Sequence, residues 1–530
     1  MSLLLISPLA LPLGLGALLI ARPGLPLARQ RWIGLTGSIA VLGAALGLLA
    51  VTADGRIAAT LIGDWPAPYG IVLIADRLSA LLLTLTGALA LAVSAHLWLS
   101  PTAADRAGRH FHALFQLQLF GLAGAFLTGD LFNLFVFFEV LLIASYGLLV
   151  QGGGAERTRA ALHYVVLNMI GSSLFLLGVA LIYATAGTLS LAHLPDRLQA
   201  LQPAQAPLAG AGLLLLGGAF ALKAALVPVH AWLVPAYSAA QAPVAALFAI
   251  MTKVGVYALL RLFALLPAAD STLGTLPLPA LIAIGALLTL SVGALGVVAA
   301  PDLRTMTANL VLVSVGTLLA GIAAGTTQGI AAGLYYLIHT TLVTGGLFLL
   351  IEAISWDRDR GPWLRPSPQP PAAAWLGPLF LGGALAIAGL PPLSGFVGKA
   401  WIMDALQSAG RVSATPHPGW MLSWALLLGS SLLVVVGLSR AGMVVFWQGA
   451  PAAAPSRRPP PLPPAAALLA ASPLLVLLGG PLAQYLDATA LQLRDGRAYV
   501  AAVTALEPIE PTESAAPAPT PDRADHGGRQ

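Results

Sequence analysis

The sequence predicts an all-α polytopic membrane protein of about 14 transmembrane helices, with two inverted five-helix repeats and broken helices 7 and 12. Three observations predict it. Of 530 residues, 58% are hydrophobic and only 9% charged, against about 25% charged in a soluble domain, so a soluble chain of this length could not cover its surface. The apolar residues come in continuous runs rather than alternating, which excludes a porin-like barrel. The arginines between the runs are dense and sparse in alternate loops, as a chain crossing a membrane repeatedly requires.

Apolar runs fall at 2–21, 32–53, 73–99, 111–128, 131–150, 161–185, 208–232, 239–265, 277–299, 303–323, 328–352, 375–396, 421–447 and 465–485. At about 20 residues per crossing, 14 spans use roughly 280 residues, close to the apolar content present. The first run is not a cleavable signal peptide, because its positive charges (Arg22, Arg29, Arg31) follow it. Odd-numbered loops hold 14 Arg, even-numbered loops 5 and the C-terminal tail 4. The positive-inside rule therefore places odd loops in the cytoplasm and both termini outside.

Two spans are irregular in matching ways. Span 7 reads GGAFALKAALVPVHAWLVPAY, with Pro228 and Pro235 interrupting a helix that carries Lys223. Span 12 reads GALAIAGLPPLSGFVGKAW, with Pro391 and Pro392 ahead of Lys399. Proline removes a backbone donor, and in lipid such a break persists only where protein or water satisfies the freed backbone. Each broken span is fourth in a group of five. Because five is odd, the two groups are inverted relative to one another, and matched breaks in inverted halves point to an ion path near the bilayer midplane. Ordinary proline kinking is the plainer alternative.

The resulting organisation is spans 1–3 over 1–110, a first five-helix repeat over 111–265 and a second over 266–447. A Pro-rich connector with span 14 follows over 448–485, then a tail over 486–530 that is disordered at its end. The stretch 486–503 has helical pattern and is expected along the membrane surface.

Several functions are excluded by what is missing. With no Cys there are no thiolate nucleophiles or iron–sulfur ligands. There is no phosphate-binding loop, nicotinamide fingerprint or zinc spacing, so no cofactor is expected. A net charge of +5 spread along the chain makes no basic patch for nucleic acid.

The charges that remain inside the spans are few. Of 26 basic residues only 3 are Lys, namely Lys223, Lys253 and Lys399, and each lies in or beside an apolar run. Coding bias toward Arg explains why Lys is rare but not why the survivors avoid loops. Lys sheds its proton when buried, whereas Arg does not. Glu139, in DLFNLFVFFEVLLIASYGLLV, is the acid deep inside a long span, and such residues are functional by default. Lys223 is its expected ion-pair partner, a static lock between helices being the plain alternative. Lys253 lies in FAIMTKVGVYALL in the middle of span 8, where snorkelling to an interface is disfavoured. His339, mid-span in YYLIHTTLVTGGLFLL, is placed to relay a proton between Lys253 and Lys399 through hydroxyls and water. His230 follows Lys223 by seven residues, with Pro228 between them; His163 is expected at an interface.

DLFNLFVFFEV, KAALVPVHAWLVPAYSAAQAPVAALFAIMTKVGVYALLR, YYLIHTTLVTGGLFLL and GLPPLSGFVGK resemble the antiporter-like subunits shared by complex I and Mrp cation/proton antiporters. The resemblance runs from the first span through 503. GDWPAPYGIVLIADRLSALLL at 63–83 and DATALQLRDGRAYVAAV narrow it to the D-type subunit of Mrp Na⁺/H⁺ antiporters. It implies proton translocation through Glu139, Lys223, Lys253, His339 and Lys399, with His230 as an adjunct, and no catalytic residue, metal or cofactor. It also implies other Mrp subunits as partners in a bacterial inner membrane, with Na⁺ or K⁺ exchanged for protons. A proton-pumping subunit of a complex I-like oxidoreductase or membrane-bound hydrogenase is the alternative, and a non-transporting assembly scaffold a third reading.

Overall fold

The computed structural model describes residues 2–506 apart from 64, 66, 68, 101–104, 107, 109, 267–272, 357, 359, 371, 413–418 and 450–459. Most of the Pro-rich connector and the end of the acidic tail lie outside the described residues.

Among the described residues, eleven helices are long and apolar enough to cross a membrane: Ser2–Ala21, Leu27–Thr52, Arg77–Leu99, Leu131–Val150, Ala155–Ala186, Ala206–Lys223, Ala242–Leu265, Leu278–Ala299, Leu303–Ile322, Thr327–Ser355 and Gly419–Phe446. The shorter apolar helices Phe111–Leu127 and Ala373–Ala388 and the bent pair Pro463–Leu477 and Gly479–Asp495 fall on the three remaining apolar runs. They coincide with the apolar runs of the sequence.

Contacts between the connecting segments fall into two sets. On one face Arg31 donates to Asp105 and to the Ser100 carbonyl, and Arg157 donates to the carbonyls of Gln151 and Ala239. There, too, Arg440 reaches the Ala300 carbonyl and Gln369 the Phe446 carbonyl. These belong to odd-numbered connections or to the helix ends beside them. On the other face, bridges join Leu73 to Thr128 and Asp130 to Ser190, Gln492 bonds the Gly55 carbonyl and Arg494 bonds Thr327. These belong to even-numbered connections and the C-terminal region. A chain that crosses an even number of times sorts its connections in this way.

The breaks in spans 7 and 12 are both present. Span 7 is helical to Lys223, runs as turns through 224–232 and resumes at Leu233–Ala239. Span 12 is helical over Ala373–Ala388, breaks at 389–393 and resumes at Ser394–Val412. Span 7 runs from the even-loop face to the odd-loop face and span 12 the reverse, so the two groups of five are inverted. In each group the broken span packs against the third helix of its own group, Ala155–Ala186 or Thr327–Ser355. The buried core lies between the groups, where the second half of span 8 and most of spans 10 and 11 have almost no exposed side chain.

Four features depart from the sequence expectation. Residues 73–75 do not open span 3 but end a strand, Ile71–Ala75, paired antiparallel with Ala58–Ile62 in the register Ala58↔Ala75. The helix begins after Asp76, whose carboxylate caps the Ser79 N–H at 2.8 Å. Span 8 is itself interrupted, as Ala242–Phe248 and Met251–Leu265. Span 14 ends at Leu477, and the following helix turns away by 84°, at Gly479, Gly480 and Pro481. Two of the arginines counted with the loops above, Arg261 (even) and Arg440 (odd), lie inside the helices Met251–Leu265 and Gly419–Phe446. Arg261 is buried there because Asp76 takes both its terminal nitrogens, at 2.6 and 2.8 Å.

Candidate proton-relay site

Span 5 begins at Asp130, whose carboxylate caps the Asn133 N–H at 2.8 Å, and this sets the helical phase that turns Glu139 toward span 6. Its carboxylate, half-buried, accepts a hydrogen bond from the Ser172 hydroxyl. Lys223, at the last turn before the span-7 break, is buried and donates to Ser172 Oγ at 3.4 Å and to Asn168 Oδ1 at 3.3 Å. The direct Glu139–Lys223 ion pair expected from the sequence is therefore replaced by a bridge, Glu139–Ser172–Lys223. Asn168 and Ser172 lie one turn apart on span 6, and that i, i+4 spacing is the signal that could have found them.

The span-8 break sits beside the span-7 break. Gly255 is what permits the approach: a methyl group there would lie 2.4 Å from the Ala224 nitrogen. Two residues before it, Lys253 is completely buried, and its Nζ reaches the Thr252 hydroxyl at 3.3 Å. No carboxylate pairs with it among the described residues. An amine with one neutral partner in a dry interior is poorly solvated as an ion.

The second repeat holds the other two groups. His339 is fully buried, with Nδ1 2.7 Å from Ser394 Oγ, which is 2.8 Å from Ser472 Oγ. Span 11 is thus joined to the restart of span 12 and to span 14 by hydroxyls. Its Nε2 faces Gly395, where a methyl group would come within 2.9 Å. Lys399 curls back across the break, its Nζ donating to the Ala388 carbonyl and to Ser431 Oγ, each at 2.8 Å. Ala388 is the last residue before the break, so the amine satisfies a carbonyl that the proline-broken helix leaves free. Lys399 also lines a cavity of about 590 Å³ between spans 12 and 13, with Asp404 and Ser431 on its wall. His230 lies within the span-7 break, half-buried, with Nδ1 unpartnered among the described residues. The turns at 224–232 remove the helical stacking that would have put it above Lys223. His163 is exposed.

The structure thus assembles Glu139, Ser172, Asn168 and Lys223 as one cluster and His339, Ser394 and Ser472 as another. Lys253 and Lys399 stand separately, each at a helix break. Among the described residues no group of three or more His, Asp or Glu is placed to hold a metal ion.

Broken helices in inverted halves, with ionisable groups at the breaks, are the architecture by which membrane transporters hold their ion sites. Residues 128–415 match the NADH:quinone oxidoreductase/Mrp antiporter transmembrane family, and the chain belongs to it. It is 40% identical over 518 residues to the D subunit of a probable K⁺/H⁺ antiporter of Rhizobium meliloti (strain 1021), covering 92% of this chain and 95% of that one. It is 36% identical over 407 residues to the D subunit of a Na⁺/H⁺ antiporter of Bacillus subtilis (strain 168), covering 76% and 78%. Among solved structures it superposes on a chain of the Mrp complex from Dietzia sp. DQ12-45-1b with a TM-score of 0.81 at 27% identity, covering 95% of this chain and 100% of that one.

Proposed function

We propose that this chain is the proton-translocating D-type subunit of a multisubunit monovalent cation/proton antiporter, working with other Mrp subunits in a bacterial inner membrane. The observation that carries the reading is the Glu139–Ser172–Lys223 bridge at the span-7 break. It couples a carboxylate to an amine through a hydroxyl able to donate to one and accept from the other. Arrival of a third charge changes which of the two holds the proton. Lys253 continues the series of proton-carrying groups at the end of the first repeat, His339 and Lys399 carry it through the second, and His230 stands beside its start.

The family also contains oxidoreductase subunits, and the antiporter relatives at 36–40% identity favour the antiporter. The arginine distribution supports odd loops in the cytoplasm and both termini outside. We assign the repeats to 111–265 and 266–447, flanked by spans 1–3 and by span 14 with its tail. The chain acts as a transporter subunit and not as an enzyme. The test is pH-gradient-driven Na⁺ or K⁺ exchange in vesicles carrying the full complex. Glu139→Ala and Lys223→Ala should abolish it with assembly intact, whereas loss of assembly in both would favour a scaffold.

A further inference from the structure

One buried ionisable pair has no place in the relay described above. His96, on span 3, is completely buried, and its Nε2 lies 2.9 Å from the Glu352 carboxylate on span 11. The Glu352 side chain keeps 15% of its surface exposed. The other ring nitrogen of His96, Nδ1, is buried with no partner among the described residues. Both residues sit at helix ends: span 3 closes at Leu99 and span 11 at Ser355. Both ends belong to the odd-loop face. The sequence alone gives no sign of the pair, because each residue sits at the edge of its apolar run.

We infer that Glu352 and His96 form a proton port on the odd-loop face, feeding the second repeat along span 11. Three observations carry the assignment. First, the pair is graded in exposure, with a carboxylate that solvent reaches in front of an imidazole that solvent does not. Secondly, a pair serving only to clamp two helices needs one imidazole nitrogen, yet here the second is buried and open. Buried polar atoms are nearly always satisfied, so an open one calls for a role. Thirdly, Glu352 is on the same helix as His339, about 20 Å away at 1.5 Å per residue. Thr340, Thr341 and Thr344 lie between them, all fully buried. Each of these hydroxyls donates to a carbonyl of its own helix and keeps its oxygen lone pairs as acceptors.

The transfer balances with protons alone. Solvent protonates the Glu352 carboxylate. The acid passes its proton to His96 Nε2 while the proton on Nδ1 leaves inward, so one proton arrives, one departs and no electron moves. The imidazole is left with its proton on Nε2, hydrogen-bonded to the re-formed Glu352 carboxylate. Among the described residues no other acid or base forms an ion pair with either group.

The inference rests on the proton-translocating reading and is tested beside it. The full complex in sealed vesicles is assayed for cation/proton exchange with wild-type chain, Lys223→Ala, Glu352→Gln and His96→Gln. Glutamine at 352 still hydrogen-bonds the imidazole but cannot carry the proton. The port predicts that Glu352→Gln assembles fully and exchanges at least about a hundredfold more slowly, with Glu352→Asp restoring part of the rate. Normal exchange in assembled Glu352→Gln overturns the port while leaving the relay standing, provided Lys223→Ala is inactive. Loss of assembly in both Glu352→Gln and His96→Gln makes the pair a clamp and also overturns it. Normal exchange in Lys223→Ala instead overturns the underlying reading.

Discussion

Ser172 carries the first prediction at the residue scale. Its hydroxyl stands between Glu139 and Lys223, and hydrogen bonds to charged groups are worth about 1.5–3 kcal/mol. Ser172→Ala leaves both charges in place and removes only the bridge. Exchange by the assembled complex should fall roughly ten- to hundredfold, read as the initial rate of cation-driven pH change in vesicles, with Ser172→Thr recovering most of it. A second residue-scale prediction concerns Asp105, in the connection between spans 3 and 4. Burial works to raise its carboxyl, but hydrogen bonds and charge from Arg31 and His112 outweigh this and hold it below the ordinary aspartate range. A carboxylate depressed in the folded state stabilises the fold above its unfolded pKa, and that contribution is lost as pH falls through the folded value. Breaking a buried pair by removing one partner costs about 3–5 kcal/mol. Asp105→Asn should therefore lower the melting temperature in detergent at neutral pH, and the gap from wild type should narrow as the pH falls below about 4.

At the element scale the breaks decide the site. A methyl group at Gly255 would meet the backbone just after Lys223. Gly255→Val should force span 8 away from the span-7 break, at a cost of about 1–3 kcal/mol from overpacking. It should reduce exchange through Lys223 and Lys253 together, checked by melting temperature and transport in one preparation. The breaks in spans 7 and 12 are legible in the sequence because proline announces a lost backbone donor wherever it falls. The break in span 8 is not, since Ala249 and Ile250 carry no such mark; only packing against the neighbouring break makes it visible. The hairpin before span 3 is hidden for a related reason. Ile71, Val72, Leu73 and Ile74 are apolar enough to extend the run, and the Asp76 cap alone divides strand from helix. Single charged residues are easy to select, because an acid or amine in an apolar run stands out. Their partners Asn168, Ser172, Ser394, Ser431 and Ser472 are not, because small polar residues are common in spanning helices.

At the scale of the whole molecule, the two-sided sorting of the connections makes a prediction that needs no activity assay. The chain has no cysteine, so a single introduced thiol is labelled without background. An impermeant maleimide should reach Arg56→Cys, an even-loop position, from the external side of intact cells. It should reach Arg29→Cys only after the membrane is opened. The reverse pattern would invert the arginine-based orientation while leaving the even number of spans untouched. The same two-sidedness places Glu352 and the Lys399 cavity on opposite halves of the second repeat, as the proposed transfer of protons across the membrane requires.

In the proposed function a carboxylate and an amine, joined by one hydroxyl at a helix break, pass protons for cation exchange. This is tested most directly by measuring pH-gradient-driven Na⁺ or K⁺ exchange in vesicles carrying the full complex with Glu139→Gln or Lys223→Met, alongside a native gel of the same membranes. The expected result is intact complexes with exchange abolished in both. Undiminished exchange in both, with the complex assembled, would contradict it.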